Sequence, residues 1–124
     1  MDINAKGIFF CSQEAKKVMK ESGGSIINMS SITSSVVEPE AVHYCASKGA
    51  VGSMTRHMAL DLGQYDIRVN TNAPGTIKTN LTAKRLEQMG VEDQEAKLTM
   101  LNRVGRTDDL IGAATYWLRK NHRL

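Results

Sequence analysis

Ser31, Tyr44 and Lys48 fall within one run, SSITSSVVEPEAVHYCASK, the hydroxyl thirteen residues before the phenol and the amine four residues after it. A phenol titrates near 10, too high to give and take a proton freely at neutral pH. An ammonium within a few ångströms favours the phenolate and lowers that value by about one to three units. Tyr44 and Lys48 lie in a stretch, Ala41 to Leu62, that has no proline and carries apolar residues at helical intervals. Residues four apart on a helix share a face, so Tyr44 has the neighbour that a general acid/base needs. Ser31 adds a hydroxyl at the right distance along the chain. This set suits proton exchange with the oxygen of an alcohol or a carbonyl compound in a redox reaction.

The Tyr-to-Lys spacing alone says little, because Tyr116 and Lys120 in YWLRK repeat it with Arg103 at the position thirteen residues before the tyrosine. That second pair reads as ordinary helix surface. Around Tyr44 further pieces agree in order: Asn4 opens NAKGIFF upstream, and the loop NAPGTIKT follows at 72–79. Cys11 and Cys45 form no metal-spaced cluster, and the histidines at 43, 57 and 122 have no HxxxH or CxxC partner, so no metal is expected. Cys45 beside Tyr44 reads as a reduced thiol of the interior rather than a nucleophile.

These side chains need elements to hold them. Ile3 to Glu21 reads as a helix, GGSIINM at 23–29 as a strand introduced by glycines, and Ser30 to Glu40 as a loop. The helix from Ala41 to Leu62 leads to a second strand, Asp66 to Thr71, in which Ile67 and Val69 alternate with Arg68 and Asn70. A strand, helix, strand unit of this kind joins parallel strands whose C-terminal ends open onto a ligand crevice. Ser31 and the loop at 72–79 both follow strand ends. Gly49 and Gly52, with Ala46 and Ala50, make a smooth flank on the central helix, suited to close approach by a strand, a cofactor or another helix. Two amphipathic stretches, LTAKRLEQM and DQEAKLTML, break at Gly90.

The series Asn4, Ser31, Tyr44, Lys48 and PGTIKT resembles the catalytic half of the short-chain dehydrogenase/reductase family, in its short single-domain branch. The resemblance implies NAD or NADP as cofactor and a small alcohol or ketone as substrate. It implies catalytic roles for all four residues: Tyr44 exchanges the proton, Ser31 holds the substrate oxygen, Lys48 holds ribose and favours the phenolate, and Asn4 fixes a water through its side-chain amide. Cofactor contacts would come from Tyr44, Lys48, Pro74, Gly75, Ile77 and Thr79. The segment 81–100 would cover the substrate, with Leu81, Leu86, Met89, Leu98 and Met100 as an apolar wall. The helices at 3–21 and 41–62 would form a homo-oligomer interface in the full-length form.

No Gly-rich strand-to-helix fingerprint precedes Asn4, and family members continue past RKNHRL into another strand. The expected fold is therefore one partial α/β domain over 1–124. It is a doubly wound, Rossmann-like parallel sheet with flanking helices that lacks the N-terminal dinucleotide-binding strands. Two functions from different classes follow: an NAD(P)-dependent oxidoreductase, or a truncated non-catalytic subunit that binds a partner through the two helices.

Composition fits a soluble cytoplasmic domain, with 41% hydrophobic residues and no membrane-length apolar run. The net charge of +3 comes from 16 basic residues scattered among 13 acidic ones, with no basic run interleaved with aromatics. Neither nucleic acid nor membrane is an expected partner.

Overall fold

The computed structural model describes residues 1–119. A π-helical turn, Asp2–Gly7, runs directly into α1 (Ile8–Met19), so the helix expected over 3–21 is present but opens on a widened turn. The Met1 carbonyl accepts from both Ala5 N at 2.9 Å and Lys6 N at 3.3 Å. Strand β1 (Gly24–Met29) follows, then a single 3₁₀ turn, Ile32–Ser34, inside the expected loop. Helix α2 (Val42–Gly63) leads to β2 (Ile67–Asn72). The two strands pair in parallel, with Gly24 opposite Ile67 and Met29 opposite Asn72.

The strands can start side by side because Gly23 and Asp66 both take positive φ, 67° and 55°. A Cβ on Gly23 would stand 2.8 Å from the Asp66 carbonyl oxygen, so glycine is needed for this approach as well as for the angle. One sheet face carries Ile26, Ile67 and Val69, and these pack with Leu62, Met19, Met58, Ala59 and Tyr65 from α1, α2 and the turn after it. Ile67 is 1% exposed and Val51 is not exposed at all.

The rest of the chain forms a smaller body. Strand β3 (Ile77–Lys78) pairs in parallel with β4 (Gly105–Arg106), and the short helices α3 (Ala83–Leu86) and α4 (Val91–Lys97) lie between them in sequence. Gly90, at φ 79°, makes the break expected between the two amphipathic stretches. A 3₁₀ turn, Thr107–Leu110, enters α5 (Ile111–Leu118), which returns to the main sheet. There Ser25 Oγ donates to the Trp117 carbonyl at 2.8 Å. Two-residue strands carry no alternation, which is why β3 and β4 leave no trace in the sequence pattern.

One expectation changes. Of the five residues expected to line an apolar wall, only Leu86 is buried, at 4% exposure, while Leu81, Met89, Leu98 and Met100 are exposed. All four lie outside the short helices α3 and α4, and α4 is tied down by charged contacts instead. On the smooth flank of α2, a Cβ on Gly49 would meet nothing within 4 Å among the described residues, and one on Gly52 only the tip of Arg56 at 3.9 Å. The Tyr116–Lys120 pair falls partly outside the described residues, since Lys120 is not among them.

Candidate active site

Helix α2 presents Tyr44 and Lys48 one turn apart, both half-buried. Lys48 Nζ donates to the Met29 carbonyl, the last residue of β1, at 2.9 Å. The same ammonium stands 5.7 Å from the centre of the Tyr44 ring, within the range of cation–π attraction. Burial pushes the Lys48 ammonium below its ordinary value, because a partly dry environment disfavours the charged form. An ammonium has three N–H donors. The one aimed at Met29 fixes its position and leaves others for a ligand.

The end of β1 is stapled on both sides. Ser30 N donates to the Asn72 carbonyl at 2.8 Å, and Ser30 Oγ donates to the Lys48 carbonyl at 2.9 Å. Ser31, buried, is the N-cap of the following 3₁₀ turn and accepts from Thr33 N at 3.2 Å. Ile32 N then donates to the Pro74 carbonyl at 3.0 Å, which brings the PGTIKT loop against the turn that carries Ser31. Asn4 reaches the same region from the π-helical turn: its Nδ2 donates to Ser47 Oγ at 3.2 Å, and Ser47 Oγ donates to the Tyr44 carbonyl at 2.7 Å.

Asn4, Ser31, Tyr44, Lys48, Pro74 and Gly75 therefore share the C-terminal end of the β1–β2 pair. Ile77 and Thr79 lie further along the loop. Ile77 pairs with Gly105, and its carbonyl accepts from Thr82 Oγ1 at 2.7 Å. Thr82 Oγ1 also accepts from Thr79 N at 2.9 Å. This stretch is anchored to the smaller body rather than to α2.

Several residues that organise the site carry no signal in the motif. Ser30 and Ser47 are buried hydroxyls that tie strand end and helix together, and Asn28 Nδ2 donates to Thr55 Oγ1 at 2.9 Å one level below. Of the buried positions of α2, Ser47, Val51 and Thr55 follow a four-residue step, and Leu62 lies seven residues further on. Small polar residues at that step facing a strand are the clue available in sequence. Glu95 is the second omission. It accepts from Thr76 Oγ1 at 2.6 Å and pairs with Arg85, and the Thr76 hydroxyl is the main reason its carboxyl lies below the usual range.

The residues fit the nicotinamide end of a dinucleotide. Gly75 is exposed, and a Cβ there would meet only Ile32 Cδ1, at 3.7 Å, so a flat ligand can approach that backbone. Lys48 has donors to spare for ribose hydroxyls. Among the described residues no group of three or more His, Cys, Asp or Glu could hold a metal ion, and no helix is long and apolar enough to cross a membrane.

Comparison with known proteins identifies the family. A family model described as enoyl-(acyl carrier protein) reductase matches residues 1–123. The chain is 40% identical over 114 residues to a 3alpha-hydroxysteroid dehydrogenase of Mediterraneibacter gnavus, covering 91% of this chain and 45% of that protein. It is 33% identical over 117 residues to gluconate 5-dehydrogenase of Gluconobacter oxydans, covering 94% and 46%. Among solved structures, a gluconate 5-dehydrogenase from Burkholderia cenocepacia in complex with NADP and tartrate superimposes with a TM-score of 0.92 at 33% identity, over 97% of this chain and 48% of that one. The chain spans about half the length of the relatives it matches. A parallel strand pair with flanking helices, the catalytic-half motifs in order and matches of this extent place the chain in the short-chain dehydrogenase/reductase family.

Proposed function

We propose that this chain is the catalytic half of an NAD(P)-dependent oxidoreductase that interconverts a secondary alcohol and a ketone. The observation that carries the reading is the Tyr44–Lys48 pair on α2, with the ammonium pinned between the Met29 carbonyl and the Tyr44 ring. Lys48, Pro74, Gly75, Ile77 and Thr79 would hold a nicotinamide whose chemistry, when bound, would be hydride exchange with the substrate's carbonyl or carbinol carbon. In the reductive direction Tyr44 Oη gives its proton to the substrate oxygen, and in the oxidative direction it takes that proton back. Lys48 favours the phenolate electrostatically and offers its remaining N–H donors to ribose. Ser31 Oγ, already fixed by Thr33 N, donates its own proton to the substrate oxygen and orients it. Asn4 holds a water of the proton relay. Pro74, Gly75, Ile77 and Thr79 contribute the loop against which the nicotinamide end packs.

The relatives named for hydroxysteroid and gluconate dehydrogenation support a ring or chain alcohol of small-molecule size. The test uses a complemented protein, in which this chain replaces the matched segment of the Gluconobacter gluconate 5-dehydrogenase so that the relative's preceding and following residues complete the fold. Oxidation of NADH or NADPH with a panel of ketones is expected, and it should vanish in Tyr44→Phe. Turnover unaffected by that change would refute the reading. The second reading, a non-catalytic subunit, draws on the chain's span of about half of its relatives and on Phe9, Phe10 and Val18 exposed along α1. It predicts tight association with a full-length family member and no turnover in the complemented protein.

A further inference from the structure

Thr76 sits between Gly75 and Ile77, two of the residues proposed to meet the nicotinamide end, and the smaller body holds it at two points. Its carbonyl accepts from Gly105 N at 3.0 Å, and its hydroxyl donates to Glu95 Oε2 of α4 at 2.6 Å. A threonine hydroxyl has one proton, so a Thr76 that gives it to Glu95 has none to give a ligand. The carboxylate is itself fixed, because Arg85 holds its other oxygen and the Glu95 side chain is 20% exposed. We propose that Glu95 is a positioning residue for the nicotinamide end of the cofactor, acting through Thr76 to hold the backbone from Gly75 to Ile77 in place. This rests on the oxidoreductase reading and adds to it a residue outside the motif, from the segment expected only to cover the substrate.

The hold falls where the loop has least support of its own. Upstream, the Pro74 carbonyl accepts from Ile32 N at 3.0 Å. Downstream, Thr82 Oγ1 donates to the Ile77 carbonyl at 2.7 Å and accepts from Thr79 N at 2.9 Å. Between them Gly75 is exposed and has no side chain to anchor it, so the placing of its peptide groups depends on Thr76. A hydrogen bond from a hydroxyl to a carboxylate is stronger than one between neutral groups. Glu92, three residues earlier on α4, pairs with Lys78 where both side chains are largely in water, and a pair of that kind contributes little. The two carboxylates of α4 should therefore differ in their effect on the cofactor.

The experiment measures binding to the complemented protein by isothermal titration calorimetry. The ligands are NADH or NADPH, whichever binds more tightly, and ADP-ribose or its 2′-phosphate, which lacks only the nicotinamide. Glu95→Ala and Thr76→Val should each weaken dinucleotide binding about tenfold, as for a lost hydrogen bond to a charged group. ADP-ribose binding should stay at the parent value, which also shows that the variants fold. The double variant should bind no more weakly than the weaker single, because both changes remove the same bond. Thr76→Ser, which keeps the hydroxyl, and Glu92→Ala should bind like the parent. Equal losses for both ligands, losses that multiply in the double variant, Thr76→Ser as weak as Thr76→Val, Glu92→Ala as weak as Glu95→Ala, or parent-like binding in Glu95→Ala would overturn the proposal. A parent that binds the dinucleotide without Tyr44-dependent turnover refutes the oxidoreductase reading, and the same titrations still decide the role of Glu95. A parent that binds neither dinucleotide overturns both.

Discussion

Tyr44 and Lys48 divide their work by the atoms each presents. Under the proposed function the phenol carries the transferable proton, and Lys48 offers its ammonium N–H donors to ribose. Tyr44→Phe in the complemented protein keeps the ring over which the ammonium sits and removes only the hydroxyl. Turnover should fall by about a hundredfold to ten thousandfold with cofactor affinity nearly unchanged, as steady-state kinetics and fluorescence titration would show. Lys48→Ala should weaken both rate and binding, because it removes the charge and the ribose donors together. Tyr116→Phe is the control, since Tyr116 lies on α5 beside Trp117 and not at the strand ends. Equal losses at Tyr44 and Tyr116 would place the chemistry elsewhere. At this scale the proposed motif was legible because the types and spacing of its side chains are properties of the sequence itself. Ser30, Ser47 and Glu95 were not, because a hydroxyl or carboxylate that holds another residue in place has no identity apart from the contact.

The elements show how the site is carried. Ile67, at 1% exposure in β2, packs with Leu62 and Val69. Ile67→Ala should therefore cost about 2–5 kcal/mol in chemical denaturation of the complemented protein. Helix α4 depends on charge instead, with Glu95 on Thr76 and Arg85, and Glu92 on Lys78 at 2.9 Å. Glu95→Ala should release the start of the PGTIKT loop, giving roughly tenfold or faster amide exchange over 76–79, as expected for the loss of hydrogen bonds to a charged group. Where β4 enters α5, the Arg103 guanidinium and then the Arg106 backbone N–H hold the Asp109 carboxyl far below its ordinary value of 3.8. A carboxyl depressed in the folded state contributes stability above its unfolded value and loses it as the pH falls below that. Local protection at Gly105 and Arg106 should therefore decline on acidification below about pH 4, by an amount that salt reduces because the pair is exposed. Asp109→Asn should flatten the dependence.

As a whole molecule the chain keeps much apolar surface in contact with water. Its accessible surface is 9091 Å² for 13.6 kDa, against roughly 6,600 Å² for a closed monomer of that mass. Both outer edges of the two-stranded main sheet are unpaired by further strands among the described residues. A groove of about 300 Å³ runs along β2 between Ala59 and Gly63 of α2 and Tyr116 and Trp117 of α5. Open edges and exposed Phe9, Phe10 and Leu60 favour association. By itself the chain is expected to oligomerise, aggregate or remain loosely packed. Light scattering with thermal denaturation checks this, and a monodisperse monomer with one sharp transition is the contrary result. It should also bind neither NADH nor NADPH appreciably, because pyrophosphate binding draws on a helix N-terminus and glycine turn that the described residues do not supply. Micromolar binding by the isolated chain would contradict that.

The sequence by itself determined the family resemblance and the main elements, and it suggested the chemistry proposed above. Tyr44 and Lys48 are joined by helix geometry, Ile67 and Val69 by strand alternation, and both signals are local. Tertiary structure decided everything that depends on distant segments meeting. It set the widened turn that brings Asn4 to Ser47, and the Ser30 staple between strand and helix. It formed β3 and β4, which are too short to leave a period. It also left Leu81, Met89, Leu98 and Met100 in water where an apolar wall was expected. Hydrophobic residues in a sequence state that something should cover them, but whether the segments around α3 and α4 have a surface to turn them against is settled only when the rest of the chain is in place.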